Sequence, residues 1–353
     1  MSAAAWKSVS ALALLGLAAG ESGGGEATPG AAPAAKVLQI KAREVWTGAG
    51  QKLENGVVVI ADGRIRSVGG AADFDPRQPF VEHDGIVTAG LVACASQMSA
   101  GALQDDTRSV MPEARASLAF EPSSVHYEGA LAAGVTALVL TPGPDNLVGG
   151  LTCVVKTAGG RVLVPEATLA LSLSADALGK STVASGFFFG SAEAGSVQPD
   201  GQAESSGRTG RGTREPTSYP GAVTMLRELF ARGQGVFARA KKGELAVTIE
   251  AWDRHEVLRA AALAQELGLK GAIRGAPLAG DAAVVAALRE AKLGVILGPY
   301  AADQTRASLE SLMRLSAAQV PVAFAIDAPW RSAHELRLSA VRAMAAGAPR
   351  DAA

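Results

Sequence analysis

The stretch Ile86–Ser99, which reads IVTAGLVACASQMS, decides the fold of this chain. Apolar residues fill most of it, and small and polar residues follow at its end. A strand inside a parallel sheet reads as a nearly continuous apolar run, because both of its faces are covered. The stretch therefore predicts a buried strand that opens onto a site at its carboxyl end.

The residues before this strand favour short, paired strands. The stretch Glu44–Gly69 is rich in β-branched residues and contains Asn55-Gly56 and Asp62-Gly63, which two-residue hairpin turns prefer. We expect residues 36–85 to form a partial β-sandwich domain. The prolines of Asp73–Pro79 predict a loop within it.

Together these segments resemble the start of the amidohydrolase superfamily, especially its secreted imidazolonepropionase-like and prolidase-like members. In that family a small β-sandwich leads into a first barrel strand with the approximate pattern TPGLxDxHxH. Thr88–Gln97 keeps the frame of this pattern, but Ala95 and Gln97 stand where the two metal-binding histidines are expected. Ala93 stands where the aspartate often is. The resemblance implies an α/β fold, a (β/α)8 TIM-like barrel with a partial β-sandwich at its amino terminus.

The chain after Ile86 alternates apolar runs with helix-like stretches, which is typical of βα units around a parallel sheet. Residues 86–353 suffice for such a barrel, which takes about 250 residues. The family expects eight strands, and those after the first are assigned to 134–143, 151–157, 167–174, 245–251, 270–276, 294–299 and 320–327. Helices are predicted at 125–133, 221–232, 253–267, 281–292 and 334–353.

Residues 181–217 are rich in Gly, Ser, Thr and charged residues, which predicts a long loop after the fourth strand. In a barrel of this kind the loop would lie over the carboxyl ends of the strands, where the sites of this fold are found. Two interpretations of Arg208, Arg211 and Arg214 stay open. They either serve an anionic ligand or belong to a solvated loop.

The chain ends within the last predicted helix, whereas members of the resembled family continue through strands that complete the sandwich. Two expectations are compatible with this. Either the sandwich is half-built with an open edge, which is an aggregation liability, or the chain is a C-terminally truncated fragment. Relatives are often oligomeric, so an oligomer stays open.

The resemblance also implies a metal site at the carboxyl ends of the strands. Its usual ligands are two histidines after strand one, a lysine or glutamate on strand three or four, and a histidine after each of strands five and six. An aspartate after strand eight orients the attacking water. Such nitrogen and oxygen ligands hold Zn²⁺ and bring the pKa of its bound water to about 7.

Only the aspartate of this set has a good match here, at Asp327, which is the candidate catalytic residue. Lys156 and Glu250 are weak candidates for metal ligands, together with Asp327. Arg274 stands near the histidine expected after strand six, where its charge would repel a cation. The pocket that holds the metal site in the resembled family would here be lined by Ala95, Gln97, Trp252 and Arg274.

The four histidines do not restore the site, because none falls at a predicted strand end. We expect surface or capping roles for His83, His126, His255 and His334. Oxygen ligands from Gln97, Glu250 and Asp327 leave a weaker alternative, a Mg²⁺ or Ca²⁺ ion held partly by water.

These observations are compatible with two functions. In the first the chain is not an enzyme, and in the second it is. The first is an amidohydrolase-like pseudoenzyme that has lost metal-dependent hydrolysis and persists as a binding or structural protein, with no cofactor and a small-molecule ligand. The alternative is a metal-dependent hydrolase of carbon–nitrogen bonds in cyclic amides, imides or dipeptides. It would carry Zn²⁺ in an atypical site built from Lys156, Glu250 and Asp327.

The amino terminus predicts export. Lys7 precedes an apolar run, Val9–Ala19, that is shorter than the roughly 20 residues needed to span a bilayer. Residues 1–20 therefore predict a secretory signal peptide, and Gly20 stands where a lipidated cysteine would be, which argues against lipid anchoring. The Gly/Ala/Pro-rich residues 21–35 predict a disordered linker. The expected location is the periplasm or the exterior of a bacterium; a disordered cytoplasmic tail is the alternative.

Composition sets the remaining bounds. The chain has 353 residues, of which 48% are hydrophobic and 19% charged, as expected for one large core with an appendage. A formal net charge of −1 gives no reason to expect nucleic acid or an anionic membrane as partner. The two cysteines, Cys94 and Cys153, predict buried free thiols and no disulfide framework.

Overall fold

The computed structural model of the chain describes residues 36–48, 50–98, 103–105, 107–179, 214–326 and 328–349. The predicted signal peptide and linker, most of the predicted loop 181–217, and Asp327 lie outside these residues. In the described ranges, no helix has the length and apolar character needed to cross a membrane. The chain divides into two compact units, the first ending at Leu91 and the second beginning at Val92.

The first unit is a five-stranded sheet. In it, β1 pairs antiparallel with β2 and β3 and parallel with β5, and β3 pairs antiparallel with β4. Asn55 and Asp62 take positive φ angles of 49° and 51°, as the predicted turns require. The strands are β1 (Val37–Trp46), β2 (Lys52–Glu54), β3 (Val57–Ala61), β4 (Arg64–Gly69) and β5 (Phe80–Thr88).

The predicted strand beginning at Ile86 is divided between two elements. Ile86 and Thr88 belong to β5, where they pair with Glu44 and Trp46 of β1. The next strand begins only at Leu91, after Ala89 and Gly90. The apolar pattern did not reveal this break, because both strands are rich in apolar residues.

The second unit carries the remaining strands and the helices. Its strands are β6 (Leu91–Ser96), β7 (Val135–Leu140), β8 (Val148–Leu151), β9 (Cys153–Lys156), β10 (Val162–Val164), β11 (Thr168–Ser172), β12 (Ala246–Ala251), β13 (Gly271–Gly275), β14 (Gly294–Leu297) and β15 (Val322–Phe324). Its helices are α1 (Val125–Ala132), α2 (Tyr219–Arg232), α3 (Gly235–Lys241), α4 (Arg254–Leu267), α5 (Ala282–Ala291), α6 (Arg306–Leu309), α7 (Ser311–Ala317) and α8 (Glu335–Ala345). Short 3₁₀ turns lie at Ala116–Leu118 and Ala175–Ala177.

These strands form two sheets. One has six strands in the order β15-β14-β13-β12-β11-β8, in which β11 to β15 run parallel and β8 is antiparallel. The other has four strands in the order β10-β9-β7-β6. The parallel strands and the helices between them confirm an α/β fold.

The predicted third strand, 151–157, is wrong as a single parallel strand. Leu151 ends β8 in the larger sheet, whereas Cys153–Lys156 forms β9, which runs antiparallel to β7 in the smaller sheet. The chain changes sheets at Thr152, whose backbone N donates to Thr168 O at 2.9 Å.

Both cysteines are free thiols. Cys153 is buried, and burial raises its pKa to about 12. Cys94 is half-buried, and burial raises its pKa to about 11.

Each parallel strand presents different residues to its two sides. In β12, Val247 and Ile249 join the main apolar core with Leu226 and Phe230 of α2. Thr248 and Glu250 alternate with them and therefore point to the opposite face. The helix-facing side is thus apolar, and the other side carries the polar groups.

Two of the predicted helices, 253–267 and 281–292, begin at the acidic caps that the sequence indicated. Asp253 and Glu256 form a capping box at the start of α4, which ends at Gly268 with a left-handed φ of 67°. Asp281 caps α5 by accepting from the backbone N–H groups of Ala283 and Val284. These caps fix where each helix begins after its strand.

Candidate functional site

A row of side chains crosses the larger sheet near the carboxyl ends of its parallel strands. Ser172 of β11, Glu250 of β12, Arg274 of β13 and Ile296 of β14 are paired in register. Residues paired in adjacent strands point to the same face of a sheet. The row therefore places a carboxylate beside a guanidinium on the side away from the helices.

The central contact is a buried ion pair. Arg274 Nη1 donates to Glu250 Oε2 at 2.5 Å, and the two side chains are only 5% and 6% exposed. Gln97, one residue beyond β6, accepts from Arg274 Nη2 at 3.1 Å and Nη1 at 3.3 Å when its amide oxygen faces the guanidinium. The positive charge is thus held between a carboxylate and an amide.

One oxygen of Glu250 has no hydrogen-bond partner among the described residues. Burial raises the pKa of Glu250, and the positive charge of Arg274 offsets part of this effect. Among the described residues, nothing donates a hydrogen bond to Glu250 Oε1 or to the buried Asn146 Oδ1. Both residues, with Thr141 and Thr248, line a cavity of about 10 Å³, the space of one water molecule.

The other predicted pocket residues lie close to this row in the fold. Ala95 is buried in β6 and packs with Ala272 and Ile296. Trp252 follows β12, is 41% exposed, and its ring lies against the backbone of Gly275. The predicted catalytic residue, Asp327, lies outside the described residues, so its role stays a prediction.

Lys156 is not brought to this end of the sheet. It pairs with Ala137 in β7, four residues before Thr141, whose N–H donates to Ser96 O at 2.9 Å. Four residues of strand span on the order of 13 Å. Because β9 runs antiparallel to β7, its last residue lies toward the amino end of β7, away from Glu250 and Gln97.

The histidines also lie elsewhere. His83 is in β5, His126 in α1, His255 in α4, and His334 precedes α8 as its N-cap residue. None belongs to the row that contains Glu250 and Arg274. The helices predicted to carry His126, His255 and His334 are those in which the structure places these residues or at whose start it places them.

The resembled family implies a metal at this place, and the site residues that the structure describes do not fit one. Ala95 offers no ligand atom, and the guanidinium of Arg274 offers only hydrogen-bond donors and a positive charge. One oxygen of Glu250 already accepts from Arg274. In the parts of the chain that the structure describes, no three His, Cys, Asp or Glu side chains form a group able to hold a metal ion.

Glu256 is a site residue that the sequence analysis missed. It is 3% exposed, and its Oε1 accepts from Ala175 N at 2.8 Å and Tyr219 Oη at 2.6 Å. Its Oε2 accepts from Trp252 N at 2.7 Å and Asp253 N at 3.2 Å. The spacing Asp253-x-x-Glu256 is that of a capping box, and this pattern in the sequence could have identified Glu256 as a structural residue. One carboxylate thereby fixes three segments around the ion pair.

We expect Glu256→Ala to lower the free energy of unfolding by about 2–3 kcal/mol, because it leaves buried donors without an acceptor. Urea unfolding followed by tryptophan fluorescence measures this. The matched control is Glu266→Ala on the same helix, an exposed carboxylate paired with Arg227 at 2.6 Å, which should cost about 1 kcal/mol or less. Equal losses in the two variants would show that Glu256 has no special structural role.

Comparison with known proteins yields structural matches only: no protein-family model and no curated protein matches the chain. An amidohydrolase from Thermotoga maritima is similar over 89% of this chain and 85% of its own, with 18% identity and a TM-score of 0.70. An uncharacterized protein is similar over 90% of this chain and 84% of its own, with 16% identity and a TM-score of 0.51. At such low identity the likeness shows the fold alone.

Proposed function

We propose that this chain, which has the fold of the amidohydrolase superfamily, is a non-catalytic relative in which a buried ion pair takes the place of the metal centre. It acts by binding a small molecule or as a structural protein. The observation that carries this proposal is the guanidinium of Arg274, held by Glu250 and Gln97.

Electrostatics gives the physical reason. A divalent cation about 4 Å from one positive charge is repelled by roughly 8 kcal/mol at an effective dielectric constant near 20. The guanidinium group is the most persistently charged side chain in proteins, so this repulsion is a fixed property of the site. Glu250 is the carboxylate of this row that could serve as a metal ligand. One of its two oxygens already accepts a hydrogen bond from Arg274.

We also propose that the two sheets of the second unit are arcs of one (β/α)8 barrel. Ser96 at the end of β6 forms a parallel bridge with Ile326, and Ile326 N donates to Ala95 O at 2.9 Å. On the other side, Ala325 N donates to Leu297 O of β14 at 2.8 Å. These bonds support a seam between the two sheets.

We propose in addition that the first unit is a partial sandwich. The apolar side chains of Phe80, Val81 and Ile86 in β5 are exposed, as expected for a sheet face that a second sheet would cover.

One observation favours the alternative, a metal-dependent hydrolase of carbon–nitrogen bonds with an atypical site. Glu250 Oε1 and Asn146 Oδ1 are buried acceptors that line one small cavity, and the described residues offer them no donor. Oxygen atoms of this kind are the ligands that hard cations prefer. In this alternative Asp327 would complete the site and activate water; Lys156 would not, because of its place in β9.

The two functions are separated by an activity measurement. Purified chain, supplied with Zn²⁺ or Mn²⁺, is assayed on cyclic amides, imides and dipeptides beside its Asp327→Ala variant. We expect both to give the same background rate, because the positive charge of Arg274 repels the metal ion that would activate water. Metal-dependent turnover in the unaltered chain that disappears in Asp327→Ala would refute the non-catalytic proposal and establish the alternative.

A further inference from the structure

A second cavity lies at the opposite end of the larger sheet. Its volume is about 530 Å³, within the range of small-molecule sites. Its lining includes Leu151, which pairs with Leu169 near the start of β11, and Glu166, two residues before β11. Glu250 lies near the other end of the neighbouring strand, on the order of 13 Å further along. This cavity is therefore separate from the site around the ion pair.

Positive charge exceeds negative charge at one side of this cavity. Glu166 Oε1 accepts from Arg115 Nε at 3.2 Å, and Oε2 accepts from Arg239 Nη1 at 2.7 Å. The hydrogen bond from Arg239, with that from Arg115, holds the pKa of Glu166 below its usual value. One ionised carboxylate thus serves two guanidinium groups, and within the described part of the chain their other N–H donors remain available to a ligand.

The remaining charged residues of the lining add to this excess. Glu113 is already paired, because Arg108 Nη1 lies 2.5 Å from its Oε1. Arg232 at the end of α2 is 70% exposed, and its Nη2 lies 3.9 Å from Oε2 of the exposed Glu228. The cavity therefore presents three arginines against two carboxylates that are both engaged.

Apart from Gln234, the uncharged side chains of the lining are apolar, and most of them pack on the core. Leu151 and Phe237 are buried, and Phe237 meets Phe230 edge-to-face with ring centroids 5.1 Å apart. Leu229 and Val236 also line the cavity and pack on the main core. An apolar wall beside surplus guanidinium groups complements a molecule with an apolar body and one anionic end.

We propose that this cavity binds a small organic carboxylate with an aromatic or aliphatic body, independently of the ion-pair site. Its carboxylate bonds to the free N–H groups of Arg115 and Arg239, with Arg232 adding attraction at the rim. Its apolar body lies against Leu151 and Phe237. The paired geometry of guanidinium and carboxylate makes this contact stronger than a neutral hydrogen bond.

The test compares two probes of one shape, 4-phenylbutyrate and the neutral 4-phenylbutan-1-ol, titrated into the full chain by isothermal calorimetry and by shifts in amide NMR signals. We expect the carboxylate to bind at least about 10-fold more tightly, which corresponds to about 1.4 kcal/mol. Arg232→Gln, an exposed position that leaves the core intact, should weaken binding of the carboxylate about 3- to 10-fold. Arg239→Gln should weaken it further.

The matched control is Arg254→Gln, an exposed arginine that pairs with Asp281 and does not line the cavity. It should leave the affinity for 4-phenylbutyrate unchanged. Absence of binding by about 10 mM, far weaker than an ordinary small-molecule site, would overturn the proposal. Equal affinity for the alcohol would do the same, as would equal weakening by Arg254→Gln and Arg232→Gln.

Discussion

Arg274→Met is expected to destabilise the protein by about 3–5 kcal/mol near neutral pH, because it leaves the buried carboxylate of Glu250 without its cation. In the intact chain that carboxylate is 6% exposed and bonded to Arg274 at 2.5 Å. Methionine keeps an unbranched apolar stem in place of the arginine stem and removes the guanidinium group, so the loss of charge and hydrogen bonds dominates the effect. Urea unfolding measures the change.

The stability lost in the Arg274→Met variant should depend on pH in a defined direction. Burial raises the pKa of Glu250, and removing Arg274 raises it further, so the folded variant binds a proton more tightly than the unfolded one. A group of this kind makes stability fall as pH rises from its unfolded pKa, about 4.3, through its folded pKa. The destabilisation should therefore be smaller at about pH 5 than at about pH 7.5.

Two further variants isolate the ion pair. The double variant Glu250→Leu with Arg274→Met removes both charges and should recover most of the lost stability, because an apolar pair of similar volume avoids the desolvation penalty. Arg254→Met breaks an exposed pair with Asp281 at 3.3 Å and should cost about 1 kcal/mol or less. Equal losses for Arg274→Met at both pH values would contradict the buried-charge explanation.

Gly271→Ala is expected to cost at least about 3 kcal/mol, because the new methyl group would overlap the backbone in the interior of the sheet. A Cβ at this position would lie 1.8 Å from the carbonyl oxygen of Val247 in β12. A backbone atom cannot move aside as a flexible side chain can, so β13 must shift. Since β13 carries Arg274, the shift should also loosen the bond to Glu250.

Thermal and urea unfolding of Gly271→Ala, beside Gly268→Ala, checks this explanation. Gly268 ends α4 with a φ of 67°, and an added Cβ there would meet no atom within 4 Å. Gly268→Ala should therefore cost only the strain of a left-handed alanine, about 1–2 kcal/mol. A Gly271→Ala variant no less stable than Gly268→Ala would show that the strand accommodates the methyl group.

Much of the second unit could be predicted from the sequence because its signals are local. Asp253 and Gly268 marked the ends of α4, and Asp281 marked the start of α5. Apolar runs marked β12 and β13, so that Glu250 and Arg274 were placed at their carboxyl ends. The positions of strand ends follow from local pattern, and that was enough to locate the candidate site.

The contacts between strands could not be predicted in the same way. The pairing of Glu250 with Arg274 depends on the register of β12 against β13, which no local pattern encodes. Lys156 was misplaced because the run 151–157 conceals a change of sheet at Thr152 and a reversal of direction. Apolar runs identify strands but do not reveal their neighbours or their direction.

The measurement that tests the central proposal most directly is the metal content of the chain. It is purified without chelator or affinity-resin metal, incubated with Zn²⁺, freed of excess ion and analysed by mass spectrometry, with circular dichroism to verify that it is folded. The ion pair of Arg274 with Glu250 predicts a metal content near zero. A content of about one ion per chain, as for a protein-bound zinc site, would contradict it.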